Sequence, residues 1–316
     1  MDELARQLKE LNDYIPEMSV KPQLLQQFWH DQLETFNHKP LNMQRKQVDS
    51  PFPYAKVYEI QFEGFDQTPL FGWYIVPSFV HGKMPCVVVY QGYTNGRGYP
   101  ERYAHWLMLG YCVLALDVRG QGGQTGNQLT SSEGMTKGWI SQGILQKETS
   151  YYMAIIIDAL KALDAASVQP ETDVEAIVLH GGSQGGGLVM AVAALSNKAC
   201  CAVADIPNMC HMNYGIFDSI GSLKELAEFA NVYPEKLTLI LENLSYFDNM
   251  NLADRIRIPI LVSVGLKDEI CLPKTIFAAY NRIEAPKEIK VYPFLGHSVN
   301  EYQKRESMNF IKKCLQ

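Results

Sequence analysis

Several things are missing from this 316-residue sequence, and each absence narrows the function. There is no basic excess: 28 Lys and Arg stand against 34 Asp and Glu, for a net charge of −6. A chain that neutralises a row of phosphates needs a cationic stripe, so nucleic acid is not an expected partner. No CxxC pair occurs among the seven cysteines, which removes the usual spacing signals for structural zinc and dithiol chemistry. Their odd number and scattered positions, several in apolar runs such as Cys86-Val87-Val88-Val89, fit free thiols in a reducing cytoplasm. No apolar run is long enough to span a bilayer, so a membrane role is not expected either. Internal repeats and low-complexity tracts are absent as well.

What is present is material for a large core, since 47% of residues are hydrophobic and only 20% charged. Residues 1–50 read as a helical arm, with Leu4, Leu8 and Leu11 at helical spacing and a second stretch carrying Phe28 and Trp29. Residues 56–63 alternate and residues 70–76 follow a turn, which predicts a β-hairpin. Short apolar strands are then expected near 86–90, 113–116, 176–180, 199–204, 260–264 and 289–292, with helices at 99–109, 149–166, 186–195, 274–282 and 299–313. Strands this uniformly apolar are buried on both faces, and intervening helices imply a mostly parallel sheet flanked by helices. One sheet accommodates the whole chain, so a single domain over 1–316 is expected, with a helical insertion at 205–257 near the carboxyl ends of the strands.

The strand at 176–180 runs directly into Gly181-Gly182-Ser183-Gln184-Gly185-Gly186-Gly187 and then into an apolar helical stretch. Strand, glycine turn and helix around GxSxG form the nucleophile-elbow pattern. A glycine-rich turn of this kind also suits phosphate binding at a helix N-terminus, but no Lys-Ser or Lys-Thr follows, and the first apolar strand is not the one that carries the glycines. A serine hydroxyl needs a neutral imidazole to take its proton and a carboxylate to orient that imidazole. Asp268 lies just after the strand at 260–264 and His297 just after the next strand, both on the edge where Ser183 stands. Glu269 is the competing carboxylate, but neighbouring residues point in different directions and it is expected to be solvated.

The oxyanion formed during acyl transfer calls for two backbone N–H groups, one following the nucleophile and one from a loop after an earlier strand. Gln184 and Tyr93 are the expected donors. Gln91, Gly92 and Pro207 are expected to line the substrate site. Arg119, Gly120 and Gln121 are assigned a structural role near it, with the arginine bonding loop carbonyls. His180 is expected to be a hydrogen-bonded neighbour of the site, and His211 a possible wall of the pocket.

These residues resemble the acetyl xylan esterase and cephalosporin C deacetylase family, carbohydrate esterase family seven, of the α/β-hydrolase superfamily. The likeness rests on Arg119-Gly120-Gln121-Gly122, on the block from Gly181 to Gly187 and on residues 268–281, and it extends over nearly the whole chain. The resemblance implies an α/β-hydrolase fold, a triad of Ser183, Asp268 and His297, and an oxyanion hole from the Tyr93 and Gln184 amides. It also implies release of acetate from small acetylated sugars or cephalosporin C, no metal or other cofactor, and a cytoplasmic homo-oligomer, often a hexamer. Two positions depart from the family pattern: Gln91 stands where His is usual, and Ser298 follows His297 where Glu is usual. A peptidase or thioesterase on the same scaffold, or a binding protein that kept the fold, are the competing readings.

Overall fold

The computed structural model describes residues 2–316. These residues form nine strands: β1 Gln44–Val48, β2 Ala55–Glu63, β3 Pro69–Pro77, β4 Met84–Tyr90, β5 Cys112–Leu116, β6 Thr172–Gly182, β7 Cys201–Asp205, β8 Ile260–Gly265 and β9 Lys287–Tyr292. They form one sheet in the order β1-β2-β3-β5-β4-β6-β7-β8-β9. The pairs among β1, β2 and β3 and the pair β3 with β5 are antiparallel, and every pair from β5 to β9 is parallel. This is the mostly parallel α/β sheet expected.

The sheet separates two cores. Helices Tyr151–Ser167, Gln184–Leu195 and Pro273–Tyr280 cover one face and bury the larger cluster, while Trp106 and Leu107 of helix Ala104–Met108, with Phe310 and Ile311 of helix Glu301–Cys314, seal the other. Both faces being covered explains why β5, β7 and β8 are buried at every position. β1 lies at the edge beside β2 and is absent from the sequence expectation. Its residues Gln-Arg-Lys-Gln-Val carry no apolar alternation, and polar residues suit an edge strand.

The strand order locates the site. From β4 the chain moves to β5 on one side and then returns to β6 on the other, so the loops after β4 and β6 diverge at a topological switch point, where open α/β sheets form their crevice. Between β7 and β8 the chain leaves the sheet for helices Met212–Asp218, Ser222–Val232, Leu237–Leu244 and Asn249–Leu252. Asp248 ties this insertion together, accepting from the N–H groups of His211, Met212 and Met250 at 2.7, 2.6 and 2.9 Å. The arm helix Pro22–Asn37 packs on it: Trp29 Nε1 donates to the Tyr246 carbonyl at 2.9 Å, and Phe28 meets Tyr246 and Phe247 edge to face.

Candidate active site

Ser183 sits between β6 and helix Gln184–Leu195 with φ 57° and ψ −122°. A serine held at positive φ costs on the order of 1–3 kcal/mol and persists only where its surroundings hold it. They do so here: the Ser183 N–H donates to the Asp205 carbonyl at 2.9 Å, and the Ser183 carbonyl accepts from Asn208 N–H at 2.9 Å. Glycine at 185 is what lets the turn close, because a Cβ there would stand 2.1 Å from the Tyr90 carbonyl oxygen.

His297 follows β9 and Asp268 follows β8, one strand apart, and the structure brings both to Ser183. His297 Nε2 lies 2.9 Å from Ser183 Oγ, and His297 Nδ1 lies 2.9 Å from Asp268 Oδ2. The other Asp268 oxygen accepts from the N–H groups of Ile270 and Cys271, each at 2.9 Å, which fixes the carboxylate's plane. Asp268 is buried while Glu269 is exposed, so burial separates the two neighbouring carboxylates. Cys271 adds a third donor atom within 4.8 Å of those of Asp268 and His297. Both Asp268 oxygens are already engaged, and burial pushes the Cys271 thiol well above the ordinary range, so it stays protonated beside the serine.

The loop after β4 is fixed at several points. Gln91 is buried and donates to the Tyr103 hydroxyl at 3.1 Å. Thr94 N–H donates to Gln121 Oε1 at 2.7 Å, and Arg97 pairs with the buried Asp117 through its N–H at 2.6 Å and Nη1 at 2.5 Å. The Tyr93 hydroxyl donates to Glu225 Oε2 at 2.5 Å. Among the described residues, neither the Tyr93 N–H nor the Gln184 N–H donates to a protein acceptor. The latter is one of the first-turn amides that a helix leaves unpaired.

Two cavities open on Ser183 and His297. One, about 540 Å³, extends past Gln91 and Gly92 to Tyr103, His105, Trp106 and His180. The other, about 460 Å³, lies under the insertion between Tyr93, Asn95, Lys137, Asn208, Lys224 and Glu228. Gly92 borders both. Pro207, expected at the substrate site, lines neither; it is buried, and a Cβ on Gly186 would stand 3.1 Å from its Cα.

The 119–121 segment lies beneath these loops. Arg119 does not bond loop carbonyls as expected: it is fully buried and makes a two-bond pair with Asp158 at 2.6 and 2.9 Å, plus contacts to Asp66 at 3.1 Å. Gly120 takes φ +72° beside Trp139, where a Cβ would stand 2.7 Å from the indole nitrogen. Gln121 donates to Gln184 Oε1 at 3.0 Å and to the Tyr151 hydroxyl at 2.8 Å. His211 lines neither cavity and faces Tyr14 instead, its Nδ1 3.3 Å from the tyrosine hydroxyl. His180 stands with Nε2 3.6 Å from Asp205, beyond a good hydrogen bond, and its Nδ1 has no protein partner among the described residues. His105 and Glu225 reach the site only through the fold, and no local pattern announces either.

The family model for acetyl xylan esterase (AXE1) matches residues 1–314. The chain belongs to the acetyl xylan esterase family. It is similar to an acetyl xylan esterase from a Paenibacillus species, with 36% identity over 97% of this chain and 99% of that one and a TM-score of 0.93. Acetyl xylan esterase 1 from a Thermoanaerobacterium species matches with 28% identity, 98% and 99% coverage and a TM-score of 0.92. An acetyl esterase of Xylanibacter ruminicola is 24% identical over 92% of this chain and 67% of its own length. As a member of the acetyl xylan esterase family, the chain is a carboxylic ester hydrolase on an α/β-hydrolase fold. A Pyrococcus horikoshii acylaminoacyl peptidase, at 15% identity and a TM-score of 0.58, shares the fold alone. No helix among the described residues is long and apolar enough to cross a membrane.

Proposed function

We propose that this chain removes acetyl groups from small acetylated carbohydrates, such as xylo-oligosaccharides, and from cephalosporin C-like acetyl esters, through an acyl-enzyme on Ser183. The observation that carries the reading is the relay in which one imidazole meets Ser183 Oγ and Asp268 Oδ2, each at 2.9 Å. Ser183 Oγ attacks the acetyl carbonyl carbon as its proton passes to His297 Nε2, and Asp268 holds Nδ1–H and stabilises the imidazolium. The carbonyl oxygen becomes an oxyanion that accepts from the Tyr93 and Gln184 N–H groups. Its collapse breaks the ester C–O bond, and His297 returns the proton to the leaving alcohol. Water then repeats the sequence on the acetyl-serine, releasing acetate and restoring the hydroxyl.

The carbohydrate assignment draws support from the cavity under the insertion, where Asn95, Lys137, Asn208, Lys224 and Glu228 offer donors and acceptors to sugar hydroxyls. At about 460 Å³ it falls in the range, roughly 300–1,000 Å³, that encloses small ligands. The family resemblance also supports a homo-oligomer, hexameric by that pattern, which light scattering on the eluting protein tests. A hydrolysis screen over acetylated xylo-oligosaccharides, cephalosporin C, thioesters and short peptides tests the substrate. Acetate release from the first two supports the reading, and turnover confined to thioesters or peptides overturns it.

A further inference from the structure

The Tyr93 side chain joins three segments that are distant in sequence. Its hydroxyl donates to Glu225 Oε2 at 2.5 Å and accepts from Trp139 N–H at 3.2 Å, and its ring meets the Trp139 ring edge to face at 5.6 Å. Glu225 belongs to the insertion helix Ser222–Val232, and Trp139 to the irregular stretch between β5 and helix Tyr151–Ser167. Glycine at 138, with φ +64°, makes the junction possible, because a Cβ there would stand 1.8 Å from Glu225 Oε2 and 2.6 Å from the Tyr93 hydroxyl.

The peptide that carries the Tyr93 N–H is held by a backbone bond at its carbonyl end, where the Gly92 oxygen accepts from Asn95 N–H at 3.1 Å. It follows Gly92, whose backbone has no Cβ to restrict it, and the N–H itself donates to no protein acceptor among the described residues. The next amide, Thr94 N–H, is fixed by Gln121 on one side. The side-chain anchor on Glu225 adds a hold on Tyr93 itself, the residue between these two backbone bonds.

We propose that Glu225 is a positioning residue: it holds Tyr93 by the hydroxyl so that the Tyr93 N–H stays aimed at the developing oxyanion, which makes the insertion a working part of the catalytic centre. This rests on reading the Tyr93 amide as an oxyanion donor. Removing one such donor outright costs about 100–1,000-fold in rate, and releasing its anchor without deleting it should cost less, about 10-fold. The effect belongs in kcat, since a group aimed at the transition state contributes little to ground-state binding.

The experiment measures p-nitrophenyl acetate hydrolysis and inhibition by a boronic acid, whose tetrahedral adduct occupies the oxyanion position, in Glu225→Ala, Glu225→Gln, Tyr93→Phe and the double variant Glu225→Ala/Tyr93→Phe. Expected are a kcat lowered about 10-fold in Glu225→Ala and Tyr93→Phe with KM within about 2-fold, boronate affinity weakened by the same factor, and a double variant no worse than either single one. Glu225→Gln keeps an acceptor for the hydroxyl and should recover most of the loss. Tyr93→Phe deletes a single oxygen and carries the test alone if Glu225→Ala does not fold. An unchanged kcat, an effect confined to KM, or additive losses in the double variant would overturn the inference. A Ser183→Ala control measured alongside separates the two readings: wild-type turnover there removes the underlying mechanism, whereas an inactive control with unaffected Glu225 variants removes only this inference.

Discussion

Gln121 and Gln184 stand amide to amide, the Gln121 Nε2 donating to Gln184 Oε1 at 3.0 Å while Gln121 Oε1 accepts from Thr94 N–H at 2.7 Å. One buried side chain thus spans the residue after the nucleophile and the residue after Tyr93, the two neighbourhoods that supply the proposed oxyanion donors. Gln121→Ala removes both links and should lower kcat for p-nitrophenyl acetate about 10-fold with KM little changed. Gln121→Glu keeps the acceptor for Thr94 but loses the donor, and should fall between. Steady-state kinetics of the two variants check this, and a loss confined to KM would contradict it.

The carboxylate assignment is tested by amide substitution on adjacent residues. Asp268→Asn keeps the shape but offers the wrong hydrogen-bonding pattern to His297 Nδ1, and should lower kcat by about 10⁴-fold, as the equivalent change does in a serine protease. Glu269→Gln, at an exposed position, should leave kcat within about 2-fold. Equal losses in the two variants would contradict the assignment.

How much of this was legible beforehand follows from how local each signal is. Ser183 announced itself because an apolar strand, five glycines and an apolar helix are contiguous, and Asp268 and His297 because each follows a buried strand within a few residues. The edge strand Gln44–Val48 lacked alternation and fell inside the stretch read as a helical arm. The short helices Met212–Asp218 and Asn249–Leu252 span too few turns to show a period, and they depend on Asp248, at their junction, for N–H acceptors. Glu225 acts on a residue 132 positions away. Arg119 was located near the site from its motif, but its partners Asp66 and Asp158 lie 53 and 39 positions away, beyond any local pattern.

Packing at the elbow gives a stability prediction. Gly185→Ala would place a Cβ 2.1 Å from the Tyr90 carbonyl oxygen, a backbone atom that cannot move aside without shifting β4. Overpacking of this kind typically costs about 1–3 kcal/mol, and a backbone collision belongs at the upper end. Chemical denaturation should show a loss of at least about 2 kcal/mol, and wild-type stability would show that the strand and helix are not this close.

His211 links stability to pH. Burial first, then the charges of Lys274 and Arg282, lower it from the usual 6.5 to about 4. The folded protein therefore binds fewer protons there than the unfolded chain, so this contribution is fully present above pH 6.5 and is lost as pH falls toward 4. The shift corresponds to roughly 3 kcal/mol at most. Urea melts at pH 7 and pH 4 should show wild type losing more stability between them than His211→Gln, and equal losses would contradict the assignment.

The most direct test of the central claim is intact and peptide mass analysis after reaction with a fluorophosphonate, alongside p-nitrophenyl acetate turnover. The account predicts one adduct per chain, located on Ser183, appearing in step with loss of activity. It further predicts no adduct in Ser183→Ala and a turnover lowered by a factor on the order of 10⁶. Labelling at another residue, or wild-type turnover in Ser183→Ala, would contradict it.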